Sequence, residues 1–255
     1  MKSKIIIFTD LDGTLLDKTK FHFRQAKKYI NELISKNIII IPISSKTEKE
    51  IRLFLREIKH NLPFVTENGS EIYNLNLLKK TFPRKITLAR DKLKIYQIFN
   101  KKIDPQILEN CEFVFKMTKR KQTKILGLKG KNLNASLHRK FTFPFIFRGS
   151  KFKKNKLLKD TNKMGLNILE GGRVMNLGDK IDKGYAVNKI LKLTKNKLKS
   201  KIHTIAVGDN SNDLSMLNVS EYPCIIGNKN LKIKNKNKSF TSDYAPLGLS
   251  LIHIS

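Results

Sequence analysis

Asp10 and Asp12 stand one residue apart at the end of an apolar run, in "KIIIFTDLDGTLLD" over 4–17. The chain carries 52 Lys+Arg against 21 Asp+Glu, so two close acids at one strand end call for a reason. A carboxylate there can attack phosphorus and become an acyl phosphate, which divides a hard hydrolysis into two easier steps. A second carboxyl can protonate the leaving oxygen and then activate water. Gly13 permits the tight turn that brings the two together. Acids this close repel, so a cation is expected between them. Mg²⁺ prefers oxygen ligands and bridges phosphates. The plain alternative is an Asp-Gly turn with two solvated acids.

Three further segments follow apolar runs in the same way. In "IIIIPISSKTEKEI", Ser44 ends a run, and its hydroxyl with the following N–H groups near a helix start can hold phosphate oxygens; Ser45 or Thr47 can cap that helix. Lys46 in the same segment is a candidate substrate contact. In "GDKIDKGYAV", Lys183 opens a helix, where the helix dipole disfavours a cation. That placement fits a charge aimed at phosphate, and Asp182 serves as an N-cap. In "IAVGDNSNDLSML", Asp209 follows an apolar run and can complete the cation site, while Asp213 four residues on can orient ligands or Lys183 from behind. Arg148 and Arg173 are candidates for bidentate contact with a substrate carboxylate. Glu67-Asn68-Gly69 reads as a substrate loop or simply a turn. The five histidines, His22, His60, His138, His203 and His253, show no metal spacing.

Elements that would position these groups are legible as apolar runs at 4–9, 38–43, 63–66, 203–207 and 222–226. Each is rich in Ile or Val and suits a parallel strand covered on both faces. Helical patterns lie at about 22–36, 46–59, 184–199 and 212–218. Strand–helix alternation with short links predicts a doubly wound α/β sheet, with ligands outside the carboxyl ends of the strands. The stretch 81–178 breaks this rhythm. It is more basic and mixes amphipathic segments with strand-like ones ("EFVFKM", "FTFPFIF", "GLNIL", "RVMNL"). The expected division is a core of 1–80 plus 179–255 and an inserted α/β domain of 81–178.

Composition narrows the classes. No apolar run approaches the roughly 18 residues of a membrane span, and Asp10 and Asp12 interrupt any signal-peptide core. Cys111 and Cys224 are far apart and form neither a disulfide framework nor a metal spacing, so a reduced, cytoplasmic protein is expected. The net charge of +31 raises nucleic acid as a partner. The surplus is mostly Lys, is spread along the chain and comes with no nucleic-acid-binding motif, so dedicated nucleic-acid binding is not expected. A positive surface should instead speed the approach of a small anionic substrate.

Taken together and in order, DxDGT, a Ser at a strand end, a Lys and GDxxND resemble the haloacid dehalogenase (HAD) superfamily. The second Asp favours phosphate chemistry over dehalogenation, and an insertion between the second and third motifs looks like the Cof-type branch, whose cap is α/β. Blocks such as "PFVTENGSEIY", "MTKRKQTKILGL", "RKFTFPFIFRGS", "LEGGRVMNLGDKIDKG" and "APLGLS" are similar to those of the mannosyl-3-phosphoglycerate phosphatase family. The resemblance implies Asp10 as nucleophile and Asp12 as acid/base. It implies Mg²⁺ held by Asp10, the Asp12 backbone carbonyl and Asp209, with Ser44 and Lys183 on the transferring phosphoryl group. It also implies a phosphatase acting on a sugar-glycerate phosphate, with a sugar phosphomutase as the rival enzyme. Two departures from the family pattern fall in the cap: Thr142-Phe143-Pro144 for a usual Ser-Glu-Pro, and Met175-Asn176 for a usual aromatic-His pair. Phe143 and Asn176 are therefore expected to face the sugar, and a glucosyl substrate becomes the neighbouring possibility.

Overall fold

The structure is a computed structural model of the 255-residue chain and describes residues 3–16, 24–198, 200–228, 230–234, 237 and 239–241. His22, His253 and the block 245–250 lie outside them. Along the chain run β1 (Lys4–Thr9), α1 (Arg24–Ser35), β2 (Ile39–Pro42), α2 (Glu48–Ile58), β3 (Phe64–Thr66), β4 (Glu71–Tyr73) and β5 (Lys85–Thr87). Then come α3 (Lys92–Lys102), α4 (Pro105–Leu108), β6 (Cys111–Phe113), α5 (Lys119–Leu126), α6 (Gly130–Leu137), β7 (Phe143–Phe147), α7 (Lys151–Lys163), β8 (Leu166–Glu170) and β9 (Met175–Asp179). The last are α8 (Lys183–Lys197), β10 (Ile202–Gly208), α9 (Leu214–Val219), β11 (Tyr222–Ile226) and β12 (Ser239–Thr241).

Five strands form a parallel sheet in the order β12-β11-β10-β1-β2. The near-continuous apolar character of β1 is explained by burial on both faces. Ile7 joins a cluster with Phe54, Leu55 and Ile58 of α2, and Ile6 and Phe8 join the opposite one with Ala186, Val187 and Ile190 of α8. Each such side chain removed from water contributes about 1.5–3 kcal/mol. Helix α2 starts where Thr47 accepts from Glu50 N and Glu50 returns a bond to Thr47 N, and it ends at Lys59 in the left-handed region. Thr47 is thus the cap that the segment allowed.

The expectation of a third covered parallel strand at 63–66 is met in part, for β3 is buried throughout. Val65 meets Ile43 through a single parallel bridge, and β3 then pairs antiparallel with β4, and β4 with β5. Short runs in a chain of this composition do not declare which neighbour they will pair with. The boundary drawn at 80/81 also falls inside this sheet, since Glu71 pairs Thr87 and Tyr73 pairs Lys85 across it. Phe82 packs in the cluster beneath α8, with Ile86 and Leu88 against it.

A four-stranded antiparallel sheet, β6-β7-β9-β8, lies within residues 111–179. One face carries an aromatic-rich cluster including Phe99, Phe113, Phe143, Phe145, Leu157, Met175 and Leu177. Strand periodicity then puts Pro144 and Asn176, directly paired, on the other face. Among the described residues no helix is long and apolar enough to cross a membrane.

Candidate active site

The site forms where β1, β2 and β10 end together. Asp10 follows β1 immediately, and its N–H donates to Val207 O at 2.9 Å. Gly13 takes a φ of 87°, and its N–H donates to Leu16 O at 2.8 Å. This left-handed turn holds Asp12 beside Asp10.

Lys183, wholly buried as the first residue of α8, donates to Asp10 Oδ1 at 2.5 Å and to Asp213 Oδ1 at 2.6 Å. Asp182 caps the helix by accepting from Tyr185 N at 2.8 Å. The misplacement of Lys183 against the dipole is therefore offset by two buried carboxylates. Asp213 Oδ2 accepts from the N–H groups of Asp209 and Asn210, at 3.1 and 3.0 Å, so it shapes the loop that presents Asp209. Asn228 Nδ2 adds a bond to Asp209 O at 2.8 Å.

Carboxylate oxygens of Asp10, Asp209 and Asp213 lie within 4.8 Å of one another. Lys46 Nζ sits 2.8 Å from Asp12 Oδ2 and 3.9 Å from Glu50 Oε1, while Asp12 Oδ1 is buried without a hydrogen-bond partner among the described residues. Among these groups four aspartates and Glu50 against two lysines leave three negative charges in excess. The donor set is all oxygen, and an excess of that size suits a hard divalent cation such as Mg²⁺.

The electrostatics agree with that deficit. Burial, reinforced by Asp213 and Asp12 and opposed by Lys183, pushes the Asp10 carboxyl up to about 8. A nucleophile must be ionised, so a cation beside it would restore its charge. For Lys183, burial pulls downward but Asp10 and Asp213 outweigh it and hold the ammonium above the ordinary lysine value. Lys46 is raised against its own burial by Asp12 and then Glu50.

A cavity of about 410 Å³ is lined by Asp10, Asp12, Lys46 and Asp209 of the strand-end loops and by Arg139, Arg173 and Asn176 of the inserted region. The remaining candidates separate. Ser44 is buried beside the site, its Oγ accepting from Lys46 N at 3.3 Å. Asn68 is buried outside the lining; its N–H donates to Ser44 O at 2.9 Å, and its Oδ1 accepts from Asn212 at 3.4 Å. It ties two loops together.

Arg148 is a correction: it is exposed, pairs with Glu112 Oε2 at 2.9 Å and is absent from the cavity. Phe143 is another. It packs against Tyr96, Phe113 and Phe115 in the aromatic cluster, on the sheet face opposite Asn176, whereas Asn176 does line the cavity. Arg139 escaped sequence reasoning; the only available signal was an Arg in a chain whose bases are mostly Lys.

The family model described as haloacid dehalogenase-like hydrolase matches residues 7–250. A glucosyl-3-phosphoglycerate/mannosyl-3-phosphoglycerate phosphatase of Persephonella marina is 30% identical over 242 residues, 91% of this chain and 88% of that one. The protein of the same description from Methanococcoides burtonii is 28% identical over 240 residues, 88% of this chain and 85% of the relative. Among solved structures, a haloacid dehalogenase-like hydrolase from B. subtilis superimposes with a TM-score of 0.68 at 17% identity, covering 93% of this chain and 95% of its own.

Proposed function

Because this chain belongs to the haloacid dehalogenase-like hydrolase family and is a phosphoric monoester hydrolase, we propose that it dephosphorylates mannosyl- or glucosyl-3-phosphoglycerate in the cytoplasm, through an aspartyl-phosphate on Asp10. The observation that supports this reading is Asp10, held by the buried Lys183–Asp213 pair, in a cavity that it shares with Asp12, Lys46, Asp209, Arg139, Arg173 and Asn176. An anionic phosphate fits beside Asp10, and a polar group with a second negative charge fits beside the arginines. The two curated relatives described under both sugars support this choice of substrate.

Asp10 attacks phosphorus, and the bond to the glycerate oxygen breaks as Asp12 gives that oxygen its proton. Asp12, now ionised, removes a proton from water; the water oxygen attacks phosphorus and Asp10 is released. Lys46 keeps Asp12 in place through Oδ2, leaving Oδ1, which has no partner among the described residues, to handle the proton. Lys183 fixes Asp10 and supplies positive charge to the phosphoryl oxygens, with Ser44 beside them. Asp10, Asp209 and the Asp12 backbone carbonyl are the residues that would hold Mg²⁺, whose role when bound is to offset charge on the transferring group. Two free, buried cysteines, Cys111 and Cys224, suit a reducing compartment.

The test is phosphate release from both hexosyl-3-phosphoglycerates, with Mg²⁺ and after chelation by EDTA. Turnover of at least one with Mg²⁺, and its loss on chelation, is the expected result. Undiminished activity after thorough chelation would overturn the metal assignment, and turnover of neither sugar ester would overturn the substrate.

A further inference from the structure

Arg139 occupies a position that the catalytic steps above do not use. It follows α6 in the inserted region, yet its Nη1 donates to the Ser45 carbonyl at 3.1 Å, in the loop between Ser44 and Lys46. The same Nη1 donates to Thr142 Oγ1 at 3.0 Å. The Thr142 hydroxyl donates in turn to Glu67 Oε2 at 2.6 Å. Glu67 is itself buried and held by the N–H groups of Lys140 and Phe141, at 2.8 and 3.1 Å. One side of the guanidinium is thus fixed by a chain of bonds that ends on a buried carboxylate. Its other side differs, because Nε is buried with no hydrogen-bond partner among the described residues, and Arg139 lines the cavity.

The cavity wall carries a second buried orphan. Asn176 is 5% exposed, lines the cavity, and its Oδ1 also has no partner among the described residues. An unmet buried N–H on a guanidinium is costly until an acceptor arrives. A guanidinium fork prefers a carboxylate or a phosphate. In the reaction proposed above the phosphoryl group lies at the strand ends beside Asp10, which leaves a second anionic group as the acceptor for Arg139.

Resting on the proposed substrate, we propose that Arg139 is the specificity-determining residue that grips the glycerate carboxylate. Thr142 and Glu67 act as positioning residues for its guanidinium. The carboxylate accepts from the Nε side, while the Nη1 bonds to Ser45 and Thr142 hold the plane of the group. Recognition of the acid and delivery of the phosphate are thereby linked mechanically, since Arg139 is bonded to the loop that carries Ser44 and Lys46.

The experiment compares two substrates: the hexosyl-3-phosphoglycerate that wild type hydrolyses better, and the same ester with its carboxylate converted to the neutral primary amide. The readout is the acid-to-amide ratio of kcat/KM, which does not depend on the fraction of protein that folds. Wild type should favour the acid by roughly 10- to 150-fold, the range for a hydrogen bond to a charged group. Arg139→Gln should collapse the ratio toward unity. Arg139→Lys should retain part of it, as a point charge without the fork. Thr142→Val should lower it without abolishing it. A wild-type ratio near one, or an Arg139→Gln ratio equal to that of wild type, overturns the assignment of Arg139 and leaves the substrate standing. Failure of wild type to hydrolyse either sugar ester, with phosphate still released from p-nitrophenyl phosphate, overturns the substrate and this inference with it.

Discussion

At the scale of single residues, the site is a problem in placing acids. Asp10, Asp12, Asp209 and Asp213 have different duties because their partners differ: Asp10 faces Lys183, Asp12 faces Lys46, and Asp213 accepts from two backbone N–H groups. The division predicts that Asp12→Asn loses about 10²–10⁴-fold in turnover of the sugar ester, whose alkoxide needs a proton. The loss on p-nitrophenyl phosphate should be much smaller, since that leaving group departs unprotonated. Equal losses on the two would remove Asp12 from the acid role. Phe143 gives the opposite lesson. A Glu at this position would put a carboxylate among Tyr96, Phe113 and Phe115, so Phe143→Glu is expected to destabilise the fold, not to retune sugar preference. The polar residue on the cavity side of that sheet is Asn176.

At the scale of elements, the inserted region is held to the core by a few polar contacts. Thr47 Oγ1, at the start of α2, donates to Ala135 O of α6 at 2.9 Å. Lys140 Nζ donates to Glu48 Oε2 at 2.7 Å, and the Tyr73 hydroxyl is also 2.7 Å from that oxygen. Burial alone would raise the Glu48 carboxyl, but bonds from Lys140, Tyr73 and Arg52 outweigh it and bring it down to about 2, from an ordinary value of 4.5. A carboxyl depressed on folding stabilises the native state above its unfolded value and loses that contribution as pH falls through the folded one. Glu48 should therefore stabilise fully above about 4.5 and progressively less toward 2. Urea midpoints at pH 6 and pH 3 check this, with wild type losing more on acidification than Glu48→Gln. An identical loss in the two proteins would show that Glu48 holds nothing across this junction. The close packing of α8 on α9 is a second element-level constraint. A methyl at Gly184 would lie 2.5 Å from Ser215 O, next to the lysine on which the site depends.

At the scale of the whole molecule, the formal charge of +31 would meet, in the proposed substrate, a phosphate and a carboxylate. A positive surface focuses such anions toward the site and raises their rate of arrival. Raising ionic strength until the Debye length shrinks from about 30 to about 8 Å should lower kcat/KM for the hexosyl-3-phosphoglycerate while kcat holds steady. The less charged aryl phosphate should respond less. A salt-independent kcat/KM would assign the lysine surplus no part in substrate capture.

What the sequence determined by itself was everything set by local pattern. Apolar runs bounded by turns gave the strand ends at Asp10, Ser44 and Asp209, and the dipole argument singled out Lys183, because strand burial and helix starts depend on residues a few positions away. Only the tertiary structure decided the wall opposite. Phe143 and Asn176 belong to adjacent strands, and a shift of one residue in register would exchange their faces. Arg139 became a site residue only when its segment met Ser45 and Glu67, 94 and 72 positions earlier in the chain, and Arg148 was removed by a pairing with Glu112 that no local pattern announces. The third apolar run likewise joined an antiparallel sheet because β4 and β5 came to rest beside it. Faces and partners across such separations are set by long-range packing, which spacing along the chain does not encode.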